Sequence, residues 1–292
     1  MGSPDLRSLI FGGAGMLGRA LALELRRRGW ATLALPRAQA DIRDAEALDH
    51  WMASFQPEVV FNCAAHTAVD RCEDERELAF EINGVAVGRV ADAAAKIGAR
   101  LVHVSTDYVF DGEAKHPYPE DAPVAPQSVY GESKLEGERR ALRHESALVV
   151  RASWLFGPHG PNFAKTMVTL MERGHRQLRV VDDQTGAPTY TPFLARALAD
   201  LAARGASGLF HYRNRANATW FEFTREIAKN WDEQVDVIPV TTDQFPRPAR
   251  RPAYSVLDVS KTEAFLGRRV EPWTWGLIEY LERLRNVGLA AA

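Results

Sequence analysis

Two residues with acid–base side chains, Tyr130 and Lys134, stand four positions apart in the stretch VYGESKLEGE (129–138). On an α-helix, residues four apart share one face, so both side chains would point at the same spot. A phenol with a pKa of about 10 is a weak acid–base group at neutral pH, but a nearby ammonium favours the phenolate and lowers that pKa. The spacing is compatible with catalysis, although by itself it favours the ordinary start of a surface helix.

A set of hydroxyl and carboxyl groups precedes this pair in VHVSTDYVFDG (102–112), where Ser105, Thr106 and Asp107 follow an apolar run. Such side chains often cap turns. If the run is a strand of a parallel sheet, they lie instead at the edge where such sheets hold ligands. Tyr130 would then give a proton to a substrate oxygen that Thr106 binds, while a cofactor gives a hydride to the carbon. This arrangement suits carbonyl reduction.

A glycine-rich loop near the start of the chain, IFGGAGMLGRAL (10–21), indicates a site for such a cofactor. Gly12 permits a tight turn, Gly15 lets the backbone approach a diphosphate, and Gly18 lets the following helix pack close to the strand. The free N–H groups at the helix N-terminus favour an anion. The alternative is a glycine-rich turn without a ligand, and the strand before and the helix after the loop make it the weaker interpretation.

The residues after the second strand, ALPRAQADIRD (34–44), bear on which nicotinamide cofactor binds. A carboxylate at this strand end binds the 2′-hydroxyl of NAD, whereas an arginine favours the 2′-phosphate of NADP. Arg37 follows the strand directly, so we expect NADPH rather than NADH. Asp41 and Ile42 lie further on, where Asp41 has two interpretations: it accepts from the adenine amino group, or it is the N-cap of the next helix.

Apolar runs that alternate with segments of helical period predict the fold. We expect a Rossmann-type, doubly wound parallel sheet with helices on both faces and a smaller C-terminal substrate-binding lobe. The predicted strands are 6–11, 31–35, 58–62, 100–105 and 147–153. The predicted helices are 16–28, 46–55, 77–98, 128–144, 162–173, 191–203, 220–231 and 273–285.

The regularity of this alternation weakens after about residue 153, where Pro, Gly and Asn become frequent. We therefore predict a dinucleotide-binding domain over 1–152, with about 178–211 packing back onto it. The substrate-binding lobe would comprise about 153–177 and 212–292.

Composition excludes several classes of protein. The chain has 292 residues, 46% of them hydrophobic and 25% charged, with a net charge of −2, which is typical of a globular protein and does not suit a nucleic-acid partner. Two cysteines exclude a disulfide framework, and we find neither a secretory signal nor an apolar run that spans a membrane. We expect a cytoplasmic protein that binds neither nucleic acid nor membrane.

Taken together, these motifs resemble the extended short-chain dehydrogenase/reductase family. More narrowly, the stretches NCAAHTAVDRCE, STDYVFDG, YGESKLEGE, RASWLFG, NFAKTM, DDQTGAPTY and RPARRP resemble the dTDP-4-dehydrorhamnose reductases. The resemblance extends from about residue 8 to about residue 285. It implies NAD(P)H-dependent reduction of the 4-keto group of a dTDP-linked 6-deoxyhexose, here dTDP-4-dehydro-L-rhamnose to dTDP-L-rhamnose, and a homodimer is one expectation.

The resemblance also implies roles for particular residues. Tyr130 would be the proton donor, Thr106 would position and tune it, and Lys134 would bind the nicotinamide ribose. Arg250 and Arg251 would neutralise the substrate diphosphate. Positions that match cofactor-lining positions of the family are Gly15, Met16, Leu17, Asp41, Ile42, Ala65, His66, Thr67 and Val104, and those that match substrate contacts are Thr106, Asp107, Tyr130 and Trp154. Gly12, Arg37 and Ala64 are further candidates for cofactor binding. For Trp154, core packing is an equally good interpretation.

Two alternative functions stay open, and so does the use of a metal ion. Sugar-nucleotide dehydratases resemble this chain in outline, but they carry an Asp–Glu pair where this chain has Asp107 and Tyr108. The regulatory β-subunit of methionine adenosyltransferase is also similar and binds a nicotinamide nucleotide without catalysis. The resemblance further implies that Mg²⁺ is tolerated or used in some members, but no motif here indicates a metal site.

Overall fold

The computed structural model describes residues 6–289. Its strands, numbered in chain order, are β1 (Arg7–Phe11), β2 (Ala31–Leu35), β3 (Val59–Asn62), β4 (Arg100–Thr106), β5 (Leu148–Ala152), β6 (Leu155–Phe156), β7 (Gln177–Val181), β8 (Thr185–Gly186), β9 (Thr189–Tyr190), β10 (Gly208–Tyr212), β11 (Ala218–Thr219) and β12 (Asp236–Val240). The α-helices are α1 (Met16–Arg27), α2 (Ala45–Phe55), α3 (Val69–Asp74), α4 (Arg76–Phe80), α5 (Ala86–Lys96), α6 (Val129–Ala141), α7 (Phe163–Glu172), α8 (Thr191–Ala203), α9 (Trp220–Trp231), α10 (Ser260–Leu266) and α11 (Trp273–Val287).

The main sheet is parallel, with the strand order β2-β1-β3-β4-β5-β10. The order reverses between β1 and β3, where β2 and β3 flank β1 on opposite sides. In open α/β sheets, ligands bind at the carboxyl ends of the strands near such a reversal. The predicted Rossmann-type fold is confirmed, and the reversal directs attention to the loops after β1, β3 and β4.

Apolar side chains cover both faces of the main sheet, because parallel strands are buried on either side. On one face α1 packs against α8, and Leu21, Leu25 and Leu198 belong to the hydrophobic core there. On the other face α2 packs against α5, with Leu48 and Val90 in the core. These two layers hold the loop between β1 and α1 at a fixed place on the sheet edge.

The predicted helix over 77–98 is interrupted in the structure. Between α4 and α5 the residues Glu81–Val85 form a π-helical turn. The buried Asn83 in this turn donates to the Ser133 hydroxyl at 3.0 Å and to the His66 carbonyl at 3.0 Å, and it accepts from the His66 N–H at 2.8 Å. The extra residue of the π turn directs Asn83 towards the loop after β3, a contact that helical periodicity does not report.

The C-terminal part contains three two-stranded pairings outside the main sheet: β7 with β12, β6 with β9, and β8 with β11. Within the stretch predicted to pack back, α8 contacts α1, while β10 pairs with β5 at the edge of the sheet. The residue boundaries of the two predicted domains stay a prediction, and their outermost parts, 1–5 and 290–292, lie outside the described residues. Over 6–289, we find no helix with the length and apolarity needed to span a membrane.

Candidate active site

The glycine loop after β1 forms a surface made by backbone atoms. Gly12 has a φ of +75°, and a Cβ added there would lie 2.6 Å from the Ala64 nitrogen. A Cβ on Gly18 would lie 2.3 Å from the Gly12 carbonyl oxygen. Gly15 is the N-cap of α1, and its extended conformation places the first free N–H groups of the helix beside it. Both the turn and the close helix contact therefore require glycine, as the spacing predicted.

A cavity of about 230 Å³ opens beside this loop. Residues predicted to bind the cofactor line it: Gly12, Gly15, Arg37, Asp41, Ile42, Ala64 and Ala65. Ala14, Ala40, Cys63 and Ile82 complete the lining. The loops after β1, β2 and β3 thus converge on one space, and its backbone floor and apolar walls fit the diphosphate and adenosine parts of a dinucleotide.

Two guanidinium groups share the Asp41 carboxylate at the end of this cavity. Arg43 binds it through two nitrogens at 3.0 and 2.7 Å, and Arg37 binds it at 3.2 Å. The hydrogen bonds from Arg43 lower the pKa of Asp41 despite the opposing effect of burial. The interpretation of Asp41 as an N-cap is wrong, because Asp44 caps α2 by accepting from the N–H groups of Glu46 and Ala47. Arg43 is not among the predicted site residues, although it lies two positions after Asp41.

The other predicted cofactor residues fall into two groups. The side chain of Leu17 is buried in the core, so only its backbone is available to a ligand at the loop. The sulfur of Met16 lies 3.8 Å from the side-chain amide nitrogen of Asn162. His66 binds the Glu75 carboxylate through Nε2 at 2.8 Å, and Thr67 beside it is exposed. Asn83 binds both the N–H and the carbonyl group of His66, a role that the motifs did not reveal.

Tyr130 lies in the first turn of α6, whose N-cap Ser128 accepts from the Gly131 N–H at 3.2 Å. Its ring packs edge-on against Tyr108, with ring centroids 5.5 Å apart. Burial of the phenol raises the pKa of Tyr130, and a hydrogen bond with Thr106 opposes that rise. In the protein without a cofactor this pKa is therefore not lowered, because desolvation of a phenolate outweighs the favourable contacts. The lowering expected when an ammonium and an oxidised nicotinamide ring both lie beside the phenol stays a prediction. A phenol that holds its proton is the form required of a proton donor.

Lys134 is 2% exposed and lies one helical turn beyond Tyr130. Its Nζ donates to the Val104 carbonyl oxygen at 2.7 Å and lies 3.4 Å from His103 Nε2. Burial lowers the pKa of Lys134 to about 8, against the opposing effect of Glu138. Val104 is thus a backbone partner of Lys134 in this structure.

Asp107 is 2% exposed at the end of β4. Its Oδ1 accepts from the Thr106 hydroxyl at 3.0 Å, and the interaction of Ser255 with the carboxyl group favours its ionised form. Its Oδ2 is buried and has no hydrogen-bond partner within residues 6–289. Burial raises the pKa of Asp107 to about 6. A buried acceptor without a partner fits a substrate hydroxyl. The motifs did not identify Ser255, because the two residues are separated by about half of the chain.

Trp154 stands just after β5 with a φ of +48°, which is rare for a bulky side chain. Its indole stacks on Trp220 with centroids 3.5 Å apart and ring planes at 5°. A Cβ on Gly186 would lie 2.4 Å from the Trp154 ring. The indole is thus held between α9 and β8, and Trp220 is a partner that the motifs did not predict.

The two arginines predicted to bind the diphosphate are paired with side chains of the protein. Arg251 binds Asp70 at 2.8 Å, and this contact joins the loop before it to α3. Arg250 donates to Gln127 at 3.0 Å and to Glu113 at 3.3 Å near the surface. The structure does not bring these guanidinium groups onto one anion site, so diphosphate binding stays a prediction that requires an exchange of partners.

Metal ligands are not clustered in the part of the chain that the structure describes: among residues 6–289, no group of three or more His, Cys, Asp or Glu residues could hold an ion.

Comparisons with known proteins agree with this geometry. The family model described as RmlD substrate binding domain matches residues 6–286. A dTDP-4-dehydrorhamnose reductase from Streptomyces griseus is 41% identical over 94% of this chain and 93% of its own length.

Two solved structures are similar over nearly the whole chain. A dTDP-4-dehydrorhamnose reductase from Clostridium acetobutylicum has a TM-score of 0.92 at 39% identity, covering 96% of this chain and 100% of that one. A dTDP-4-dehydrorhamnose reductase from Bacillus anthracis in complex with NADP has a TM-score of 0.92 at 34% identity, covering 96% and 99%. The predicted family is thus confirmed, and the chain belongs to the RmlD substrate binding domain family, together with dTDP-4-dehydrorhamnose reductases.

Proposed function

We propose that this protein is an NADPH-dependent sugar-nucleotide 4-ketoreductase that converts dTDP-4-dehydro-L-rhamnose into dTDP-L-rhamnose. The observation that carries the proposal is the placement of three groups at the carboxyl edge of the sheet: Thr106 at the end of β4, Tyr130 in the first turn of α6, and the buried Lys134 one turn later. The names of the related reductases, and the NADP in one of their structures, support this substrate and this cofactor.

In the proposed mechanism a bound reduced nicotinamide supplies the hydride that reduces the ketone carbon. Tyr130 gives its phenolic proton to the ketone oxygen, and the Thr106 hydroxyl turns from Asp107 Oδ1 to donate to the same oxygen as negative charge develops on it. The raised pKa of Tyr130 keeps this proton on the phenol until the oxygen becomes basic enough to take it. Lys134 holds the ribose hydroxyls, and Asp107 accepts a hydrogen bond from the sugar through its unpartnered Oδ2.

We assign the remaining site residues as follows. For the cofactor we propose Gly12, Gly15, Met16, Leu17, Arg37, Asp41, Ile42, Ala64, Ala65, His66, Thr67 and Val104, with Tyr130 and Lys134 at the nicotinamide end. For the substrate we propose Thr106, Asp107, Tyr130 and Trp154, with Arg250 and Arg251 towards the diphosphate. Arg37 and Arg43 favour NADPH, since together they place two positive charges around one carboxylate.

A dehydratase activity is less well supported, because the residue after Asp107 is Tyr108, whose ring packs on Tyr130 and offers no carboxylate. A purely regulatory, nucleotide-binding role would not require the three groups Thr106, Tyr130 and Lys134 together. The free thiols of Cys63 and Cys72 support a cytoplasmic location. A homodimer stays a prediction from the resemblance.

The test is a panel of nucleotide-linked 4-keto-6-deoxyhexoses, each assayed for oxidation of NADPH and of NADH. We expect turnover with the dTDP sugar and a preference for NADPH. Tyr130→Phe should lower turnover by about a hundredfold or more while NADPH binding survives, because only the proton donor is lost. Tyr254→Phe, on a half-buried tyrosine elsewhere, is the matched control. Cofactor binding without turnover on every sugar would contradict the proposal and favour the regulatory role.

A further inference from the structure

A buried histidine that the proposed mechanism does not use lies behind Lys134. His103 is on β4 and is 0% exposed. Its ring stands between two polar side chains: Nδ1 is 3.3 Å from Asn62 Nδ2, and Nε2 is 3.4 Å from Lys134 Nζ. A neutral imidazole has one N–H donor and one acceptor nitrogen, so each must face a neighbour of the opposite kind.

The orientation of the Asn62 amide decides which ring nitrogen carries the proton. Asn62 Oδ1 accepts from the Ala64 N–H at 3.1 Å, so the amide NH₂ group faces His103. An NH₂ group can only donate, and Nδ1 of His103 must therefore be the acceptor. In the neutral imidazole the proton then resides on Nε2, on the side of Lys134. Burial and the nearby Lys134 hold the pKa of His103 well below its usual value, so the ring stays neutral.

The contact between His103 and Lys134 is consequently sensitive to the charge of the lysine. An ammonium has three donors and no lone pair, so it cannot accept from the Nε2–H. An uncharged amine has a lone pair and can accept it. The Val104 carbonyl oxygen, at 2.7 Å from Nζ, accepts a hydrogen bond from either form. In the series of contacts Ala64–Asn62–His103–Lys134, every donor therefore faces an acceptor only when Lys134 is uncharged.

We propose that His103 is a positioning residue for Lys134: its Nε2–H disfavours the ammonium form, so that Lys134 can release a proton in the site instead of remaining a permanent cation. This inference rests on the proposed function, in which Lys134 lies beside the proton donor. His103 would thus influence whether Lys134 carries its proton, without itself contacting cofactor or substrate.

The other titratable groups around Lys134 do not duplicate this effect. Glu138, one turn further along α6, favours the ammonium, but it is bound by Arg151 through two hydrogen bonds of 2.9 and 2.7 Å. The Cys63 thiol faces Lys134 from the loop after β3, and burial raises its pKa to about 12, so it stays neutral near pH 7. Burial lowers the pKa of Lys134 to about 8, which is consistent with the proposed role.

The first test measures the tautomer in the intact protein and needs no variant. ¹⁵N NMR of histidine-labelled protein distinguishes a ring protonated at Nε2 from one protonated at Nδ1. We expect a neutral His103 protonated at Nε2 from pH 6 to pH 9. A ring protonated at Nδ1, or one that takes up a second proton in this range, would overturn the proposal whether or not the enzyme turns over.

The second test compares pH profiles of turnover for the native protein and His103→Gln. The Gln side chain can turn its oxygen towards Nζ and so stabilise the ammonium. We assign the alkaline limb of the native profile to loss of the Lys134 proton. In His103→Gln we expect this limb to move up by about one pH unit or more, with little change in the KM for the sugar nucleotide. His144→Gln, at a half-buried histidine just after α6 that pairs with Asp92, is the control and should leave the profile unchanged.

The outcomes separate this inference from the proposed function. An unmoved alkaline limb in a folded, active His103→Gln protein contradicts the role of His103 and leaves the ketoreductase proposal intact. Absence of turnover in the native protein contradicts the proposed function, whereas the NMR result still reports the tautomer. If His103→Gln fails to fold, that NMR result on the native protein decides.

Discussion

The cofactor half of the candidate site is shaped by backbone, whereas the substrate half is shaped by pairs of side chains. Around the glycine loop, Gly12 and Gly18 approach neighbouring backbone atoms too closely for any Cβ. Around the substrate half, Trp154 stacks on Trp220, and Arg251 forms a salt bridge with Asp70. Backbone contacts have one geometry, but side-chain pairs can exchange partners. The first half can therefore be rigid before any ligand arrives, while the second can adapt to the sugar nucleotide.

The largest expected effect comes from breaking the backbone contact. Gly18→Ala places a methyl group against the Gly12 carbonyl, and we expect the free energy of unfolding to fall by about 3 kcal/mol because neither backbone segment can move away. Gly88→Ala is the matched control in α5, where the new methyl meets the flexible side chain of Arg140. It should change stability by about 1 kcal/mol at most. Urea unfolding measures both, and equal effects would contradict the backbone argument.

The buried carboxylate of Asp107 should make stability depend on pH. Its pKa is raised from 3.8 to about 6, so the native protein binds more protons than the unfolded chain between these values. The free energy of unfolding must then fall as the pH rises through that window, by about 2–3 kcal/mol from this group. Asp107→Asn should remove the dependence. Urea unfolding at pH 4, 5, 6 and 7 tests this, and parallel curves for the two proteins would refute it.

A smaller effect should follow from removing the support of Trp154. Trp220→Ala takes away the stacked ring, and we expect the KM for the sugar nucleotide to rise about tenfold while NADPH affinity is unchanged. Trp220→Phe should restore much of the loss, and Trp275→Ala, at an exposed indole, is the control. An equal loss of NADPH affinity in Trp220→Ala would show that the two halves are not independent.

The smallest effect concerns cofactor choice. Arg37 is 71% exposed and shares Asp41 with Arg43, which remains after Arg37→Ala. We expect NADPH affinity to fall by about five- to tenfold and NADH affinity to stay the same, because only NADPH carries the 2′-phosphate. Fluorescence titration of both cofactors measures this, with Arg27→Ala on the exposed face of α1 as control. An equal loss for both cofactors would exclude Arg37 as the group that binds the phosphate.

Many elements of the fold were predictable because their signals are local. The strand that ends at Phe11, the glycine spacing and the helix that follows depend on neighbouring residues, and the structure has them close to the predicted bounds. The π turn around Asn83 was not predictable, since it follows from contacts with His66 and Ser133 that are distant in the chain. The short helices α3 and α10 have too few turns to show a period.

The candidate site likewise has features that local sequence predicts and features that depend on contacts between distant residues. Sequence by itself determined the types and order of its groups, from the glycine loop to Thr106, Tyr130 and Lys134, because spacing along a strand or helix fixes which face each side chain occupies. The tertiary structure alone decided their partners and protonation: Ser255 on Asp107, Trp220 under Trp154 and His103 behind Lys134. The physical reason is burial, since the cost of a charge depends on groups that only folding brings into contact.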